Sequence, residues 1–203
     1  PCGELFHWLQ GFRAYGQYDR ADLIDDRGQV VLSSLPGGPR PSRVVLAAVP
    51  QAIRSGELTL VDFYRDEADG LVRLALLVPL IGPSGGAGIP VAVALRINPD
   101  AYLYPLVRDW STPSSTAESL LVRREGDHVV FLSRLREDQH APLLRRLPLS
   151  AGYILAVKAA LGETGLVDAV DFRGLPVKGF IAAVPGSEWI VVSRIGLAEI
   201  RGG

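Results

Sequence analysis

Apolar residues in this chain gather into short β-branched runs, and the clearest lie in 166–200, LVDAVDFRGLPVKGFIAAVPGSEWIVVSRIGLAEI. The pattern predicts three consecutive strands. The first ends at Asp171-Phe172-Arg173-Gly174, where a glycine supplies the positive φ of a tight hairpin. The second spans 177–184 and stops at Pro185-Gly186-Ser187, and the third, 189–195, is almost continuously apolar. Strands that are apolar on both faces need cover on both faces, so these form a central sheet and not an open hairpin.

The same order of parts occurs earlier. Val61-Asp62-Phe63-Tyr64-Arg65 matches the strand before Gly174, 71–78 with Pro79 matches 177–184 with Pro185, and 89–97 matches 189–195. Both third strands end in an arginine–isoleucine pair, Arg96-Ile97 and Arg194-Ile195. Upstream of each triplet a helix-like segment closes on a glycine, Gly56 or Gly162. Before that stands a strand pair around a glycine turn, LIDDRGQVVLS at Gly28 and LLVRREGDHVVFLS at Gly126. Five features in one order read as two copies of a strand-turn-strand, helix, three-strand unit.

The remaining elements fit around this repeat. Leu5, Trp8, Leu9 and Phe12 make one stripe at helical spacing, so 4–15 is predicted helical, the stub of a longer helix, with Trp8 and Phe12 buried against the modules or against a second chain. Ser42 caps an apolar helix, Pro50 starts a second short one, and Gly56 ends it. Asn98-Pro99 opens a short helix towards Trp110, and Ser150 caps a helix carrying Ile154, Val157 and Leu161. The segment STPSST, 111–116, is the clearest linker. The expected organisation is α/β (α+β): a helix stub at 1–16 and two units at 17–111 and 112–203, each a central antiparallel sheet flanked by helices.

Composition narrows the function. The net charge of −1 over 203 residues gives no basis for nucleic-acid binding. Cys2 is the sole cysteine, which excludes an internal disulfide and a cysteine zinc site. No apolar run reaches the ~18 residues of a spanning helix. With no methionine, even at the start, the sequence is expected to be an excised fragment or to carry a trimmed numbering.

Catalytic and metal chemistry finds little support. His7, His128 and His140 lack ligand spacing. The glycine-rich 83–88 runs into a strand, whereas a phosphate loop must open a helix. No nucleophile elbow or Cys–His pair occurs, and the acidic turn Asp66, Glu67 and Asp69 lacks the alternating oxygens of a calcium loop, so it reads as a solvated hairpin. What remains is polar residues inside apolar strands. If 66–69 is the hairpin loop, Tyr64 faces Leu71 and Asp62 faces Arg73, with Leu60, Asp62 and Tyr64 on one sheet face. Asp62 and Arg73 then neutralise each other or meet a ligand. Asp168, Asp171 and Lys178 take comparable places in the second unit, where a tighter turn favours a structural role.

The segments YDRADLIDDRG, LYPLVRDWSTPSSTAESLLVRREGD, VVFLSRLRE and VDAVDFRGLPVKGF with VPGSEWIVVSRIGLAEI together resemble the double-Cache, PAS-like extracytoplasmic input regions of bacterial membrane-bound sensors. The resemblance covers nearly the whole chain and implies two PAS/Cache-like modules. It further implies a long N-terminal helix from one membrane segment and an exit to a second, so that the chain is the periplasmic part of an inner-membrane protein. It implies a non-catalytic, cofactor-free and metal-free sensor that relays small-molecule binding to a cytoplasmic output. That output is usually a histidine kinase, sometimes a diguanylate cyclase or a chemoreceptor. The aromatic-arginine-aspartate pattern of the amino-acid-binding branch is not found, so the expected ligand is an organic acid or an amine. Asp62, Tyr64 and Arg73 in the first unit are the expected ligand-binding residues. The alternative is a structural module that dimerises through the N-terminal helix and binds no ligand.

Overall fold

The computed structural model describes residues 2–14, 16–80, 90–109 and 114–202. The glycine-rich 83–88 and the start of the linker, 111–113, lie outside the described residues. The chain divides into two compact units, Pro1–Tyr102 and Leu103–Gly203.

The first unit contains α1 (Cys2–Ala14), β1 (Tyr18–Asp25), β2 (Val30–Ser33), α2 (Arg43–Ser55), β3 (Thr59–Arg65), β4 (Val72–Leu80) and β5 (Val91–Ile97). Its strands form one antiparallel sheet in the order β2-β1-β5-β4-β3. One face packs Ile24, Ala75, Leu77 and Ala92 against Val45, Val49 and Ala52 of α2. The other packs Ala21, Leu23, Val93 and Leu95 against α1.

Helix α2 starts where the Ser42 hydroxyl accepts from the Val44 N–H at 3.3 Å and ends at Gly56, whose φ of 68° lets the chain reverse. Pro50 does not start a separate helix; it sits inside this one, where it removes a single intrahelical hydrogen bond. In α1 the stripe meets its own module chiefly through Leu9. Leu9 is fully buried, Phe12 is half-buried, and Trp8 is 44% exposed, edge-on to Phe12 at 5.0 Å between ring centres.

The second unit contains α3 (Leu103–Asp109), β6 (Glu118–Glu125), β7 (His128–Phe131), β8 (Arg146–Pro148), α4 (Leu155–Ala160), β9 (Gly165–Val170), β10 (Pro176–Ala183), β11 (Trp189–Gly196) and α5 (Leu197–Gly202). Its antiparallel sheet runs β8-β7-β6-β11-β10-β9. The first five strands of the repeat therefore recur in the same topology, and β8 is an added edge. Helix α4 lies across this sheet over Leu120, Val122, Val177, Ile181 and Val192. It begins after Ile154 without a side-chain cap, so Ser150 does not cap it. A parallel bridge from Ile154 to Val170 fixes its start instead. At the chain's end, the Glu199 carboxylate of α5 accepts from the Ser114 hydroxyl at 2.7 Å and from the hydroxyl and N–H of Thr116. These hydrogen bonds, Thr116 first and Ser114 second, hold its pKa down to about 2. Each unit is thus a sheet-and-helix module of the expected α/β (α+β) kind, with a helix before the first.

Candidate functional site

Both modules build the same arginine clamp. In the first, Arg96 of β5 donates from Nε to Asp19 at 2.7 Å and from Nη1 to Asp66 at 3.1 Å. In the second, Arg194 of β11 donates from Nη1 to Asp171 at 2.9 Å and from Nη2 to Glu118. Asp66 and Asp171 each open the hairpin after the third strand, and their N–H groups bond the Leu71 and Leu175 carbonyls. Burial pushes the Asp171 carboxyl up, but the Arg173 guanidinium and the Leu175 and Arg173 N–H groups outweigh it and hold the pKa below the usual range. A clamp that recurs in both modules ties strand ends together and has no need of a ligand.

The acidic turn is accordingly more than a solvated loop. Asp66 is buried in the clamp, Asp69 accepts from Arg73 at 3.1 Å, and Glu67 is held below its usual pKa by the Ser42 hydroxyl.

A second correspondence aligns the modules residue by residue. The Ala21 N–H donates to the Ser34 hydroxyl at 2.8 Å, and the Leu121 N–H donates to the Ser133 hydroxyl at 2.9 Å. The returning N–H groups of Ser34 and Leu132 bond the Ala21 and Leu121 carbonyls at 2.8 Å. Ala21 and Leu121 are therefore equivalent. Their neighbours differ: the second module has Leu120 and Val122, packed in its core, where the first has Arg20 and Asp22.

Arg20 and Asp22 are only 3% and 2% exposed. They line a cavity under the N-terminus of α2, with Ser42 and Val45 above and Tyr64, Ala75 and Arg96 in its walls. Arg20 Nε lies 2.7 Å from Asp22 Oδ2 without the alignment of a hydrogen bond. Arg20 Nε and Asp22 Oδ1 are left without a hydrogen-bond partner. Such buried orphans are uncommon enough to need an explanation. Arg20 also donates from Nη1 to the Pro39 carbonyl, tying the sheet to the loop ahead of α2.

The cavity is small. Its enclosed part has room for about one water. Even with the open space at its mouth it holds about 250 Å³, under the roughly 300–1,000 Å³ of a ligand pocket. A ligand therefore requires the α2 end of the roof to lift.

Of the three expected residues, Tyr64 lines this cavity; burial, then the nearby Asp66 charge, raises its pKa, so it remains a protonated donor. Arg73 is buried outside the lining, held by Asp69 and 3.4 Å from Asp19. Asp62 also lies outside, and Tyr64, not Asp62, stands opposite Arg73. The cause is a β-bulge between Val61 and Tyr64, which puts those two residues on the α2 face together.

At the matching place the second module is filled. Ala75 pairs with Arg96 and Gly179 with Arg194, so Gly179 is the counterpart of Ala75. A Cβ built on Gly179 would lie 2.3 Å from Leu155 Cδ1, so Leu155 of α4 is seated directly on the glycine. The clamp beside it is sealed by the Phe172 ring, 5.6 Å from the Arg194 guanidinium.

Among the described residues no group of three His, Cys, Asp or Glu side chains could hold a metal ion. No helix among them is long and apolar enough to cross a membrane.

Neither a family model nor a curated protein matches the sequence. Solved structures do match in fold. The extracellular domain of rpHK1S-Z16, named as a histidine kinase, superposes with a TM-score of 0.67 at 14% identity, covering 100% of this chain and 81% of that one. The ligand-binding domain of Mlp24 with asparagine gives 0.61 at 13% identity, covering 96% and 75%. That of the Pseudomonas aeruginosa PAO1 amino-acid chemoreceptor PctB with L-Arg gives 0.61 at 15%, covering 97% and 73%. At these identities the likeness is one of fold: the chain has the double-Cache, PAS-like architecture of such sensor domains.

Proposed function

We propose that the chain is the extracytoplasmic ligand-sensing input domain of a bacterial membrane receptor, with no catalysis of its own, and that its first module holds the ligand. One observation carries this reading. The first module keeps a charge-lined cavity under α2 where the second has aliphatic side chains and a filled floor. Binding lifts and then re-closes the α2 roof over the ligand, and this movement is the signal. Tyr64 contributes a hydroxyl, while Arg73 acts indirectly by holding the hairpin through Asp69.

The similar structures change two expectations. Several are chemoreceptor domains with bound amino acids, including the L-alanine complex of the Pseudomonas fluorescens chemoreceptor CtaA, so amino acids join organic acids and amines as candidate ligands. They also favour a chemoreceptor-type output over the histidine kinase.

The test is a thermal-shift screen of the twenty L-amino acids, small carboxylic acids and amines. A ligand at a hundredfold excess over its dissociation constant adds ~2.7 kcal/mol, a rise of about 5–10 °C for a chain of this size. A panel with no response would contradict the proposal. The alternative, a dimerisation module, draws on the exposed Leu5 and Trp8 of α1 and predicts a melting temperature that rises with protein concentration.

A further inference from the structure

We infer that Glu199 is the pin of a latch that fastens α5 to the segment 114–117 ahead of β6. The segment leading into the second module's sheet and the helix leading out of it then move as one body. This coupling does not depend on what the first module binds. Three observations converge on it.

The first is how α5 is held. It has six residues and none of them is buried. So short a helix gains too little from its own hydrogen bonds to persist in water, so something outside it must fix it. Glu199 supplies the attachment. Its carboxylate accepts from the hydroxyls of Ser114 at 2.7 Å, Ser115 at 3.2 Å and Thr116, and from the Thr116 N–H at 3.0 Å. Hydrogen bonds to an ionised acceptor are about twice as strong as neutral ones. The Thr116 hydroxyl also accepts from the Gly196 N–H at 3.0 Å, so one side chain holds both the end of β11 and the helix after it.

The second is positional. Five residues before the equivalent Ala21 and Leu121 stand Gly16 and Thr116; five after the clamp arginines Arg96 and Arg194 stand Ala101 and Glu199. Glycine has no hydroxyl and alanine no carboxylate. The first module therefore folds without this latch, and the shared architecture does not require it.

The third is what lies on the other side of 114–117. Arg136 donates to the carbonyls of Ser115 and, at 2.9 Å, Ala117. Its own N–H donates to Glu118 Oε1 at 2.6 Å, and the other oxygen of Glu118 accepts from Arg194, which also holds Asp171 at 2.9 Å. A continuous hydrogen-bonded path thus runs from α5 through 114–117 to the arginine clamp and its hairpin. A displacement of 114–117 is delivered to α5 along it.

Residue-resolved amide exchange, corrected for intrinsic rates, compares wild type with Glu199→Gln, Thr116→Val, Thr116→Ser and Arg136→Leu. Glu199→Gln and Thr116→Val should speed exchange at 200–202 about tenfold or more, whereas Thr116→Ser, which keeps the hydroxyl, should stay near wild type. Coupling between two sites is reciprocal. Arg136→Leu, which touches no atom of α5, should therefore also speed exchange at 200–202, and Glu199→Gln should speed it at the Arg136 N–H. Amides at 120–122 in the core should be unchanged in every variant.

Unprotected amides at 200–202 in wild type, or the same protection there after Glu199→Gln and Thr116→Val, would overturn the latch. Faster exchange at 200–202 with no change at Arg136 would reduce Glu199 to a local cap and overturn the coupling. An equal acceleration at 120–122 would make these contacts part of the global fold and overturn it as well. Each of these outcomes leaves the ligand-sensing reading of the first module standing.

Discussion

Gly179→Ala tests the contrast between the modules without any ligand. The added Cβ would stand 2.3 Å from Leu155 Cδ1 and 2.6 Å from Cδ2, far inside contact distance. Leu155 is itself buried in the core of the second module, so it has little room to turn away. Overpacking of this kind costs about 1–3 kcal/mol. Because the φ of Gly179 is not positive, alanine also restricts the unfolded chain, which offsets about 0.4–1 kcal/mol. The net loss is expected at roughly 0.5–2 kcal/mol, read from urea denaturation. Leu155→Ala alone should cost about 2–5 kcal/mol by leaving a cavity. In that background the sign reverses: the methyl added by Gly179→Ala enters the vacated space, and the second substitution should stabilise by about 0.5–1 kcal/mol. An equal effect of Gly179→Ala in both backgrounds, or none in wild type, would mean that Leu155 is not seated on Gly179. The filled floor of the second module would then no longer distinguish it from the first.

Leu9→Ala should cost about 2–5 kcal/mol in equilibrium unfolding, whereas Trp8→Ala, at a position 44% exposed, should cost less than about 1.5 kcal/mol. Arg194→Leu leaves Glu118 and Asp171 buried without their shared cation and should destabilise by about 3–5 kcal/mol in the same assay, while Arg73→Ala should lower stability and leave a ligand-induced thermal shift in place. Glu199 should titrate near a pKa of about 2 by carboxyl-detected NMR. Its folded pKa lies below the unfolded value of 4.5, so its contribution is present above pH 4.5 and lost as pH falls towards 2; Glu199→Gln should flatten stability across that window.

The repeat was legible in the sequence because strand periodicity and turn glycines are local signals. Gly28, Gly56, Gly126, Gly162 and Gly174 all take the positive φ their places demand. The Arg96 and Arg194 pair was visible too, as a shared ending of two strands. What failed was register. A β-bulge adds a residue to one strand and leaves no mark in the alternation of Leu60, Asp62 and Tyr64, so the facing partner of Arg73 was displaced. Helix rotation is set in a similar way: the stripe in α1 is broad enough to centre on Leu9 or on Trp8, and only packing decides which of them meets the module. Arg20 and Asp22 carried a usable signal that was missed. Aligning YDRADLID with ESLLVRRE sets a charged pair against Leu120 and Val122, a contrast available from the repeat alone.

Residue-resolved hydrogen exchange on the wild-type protein, with and without the pooled twenty L-amino acids, small carboxylic acids and amines at millimolar concentration, addresses the central claim most directly. Ligand closing the α2 roof should slow exchange at 42–55 and in the loop 35–41, with 150–162 of the second module unchanged. Protection confined to the second module, or none in either, would contradict a ligand site in the first.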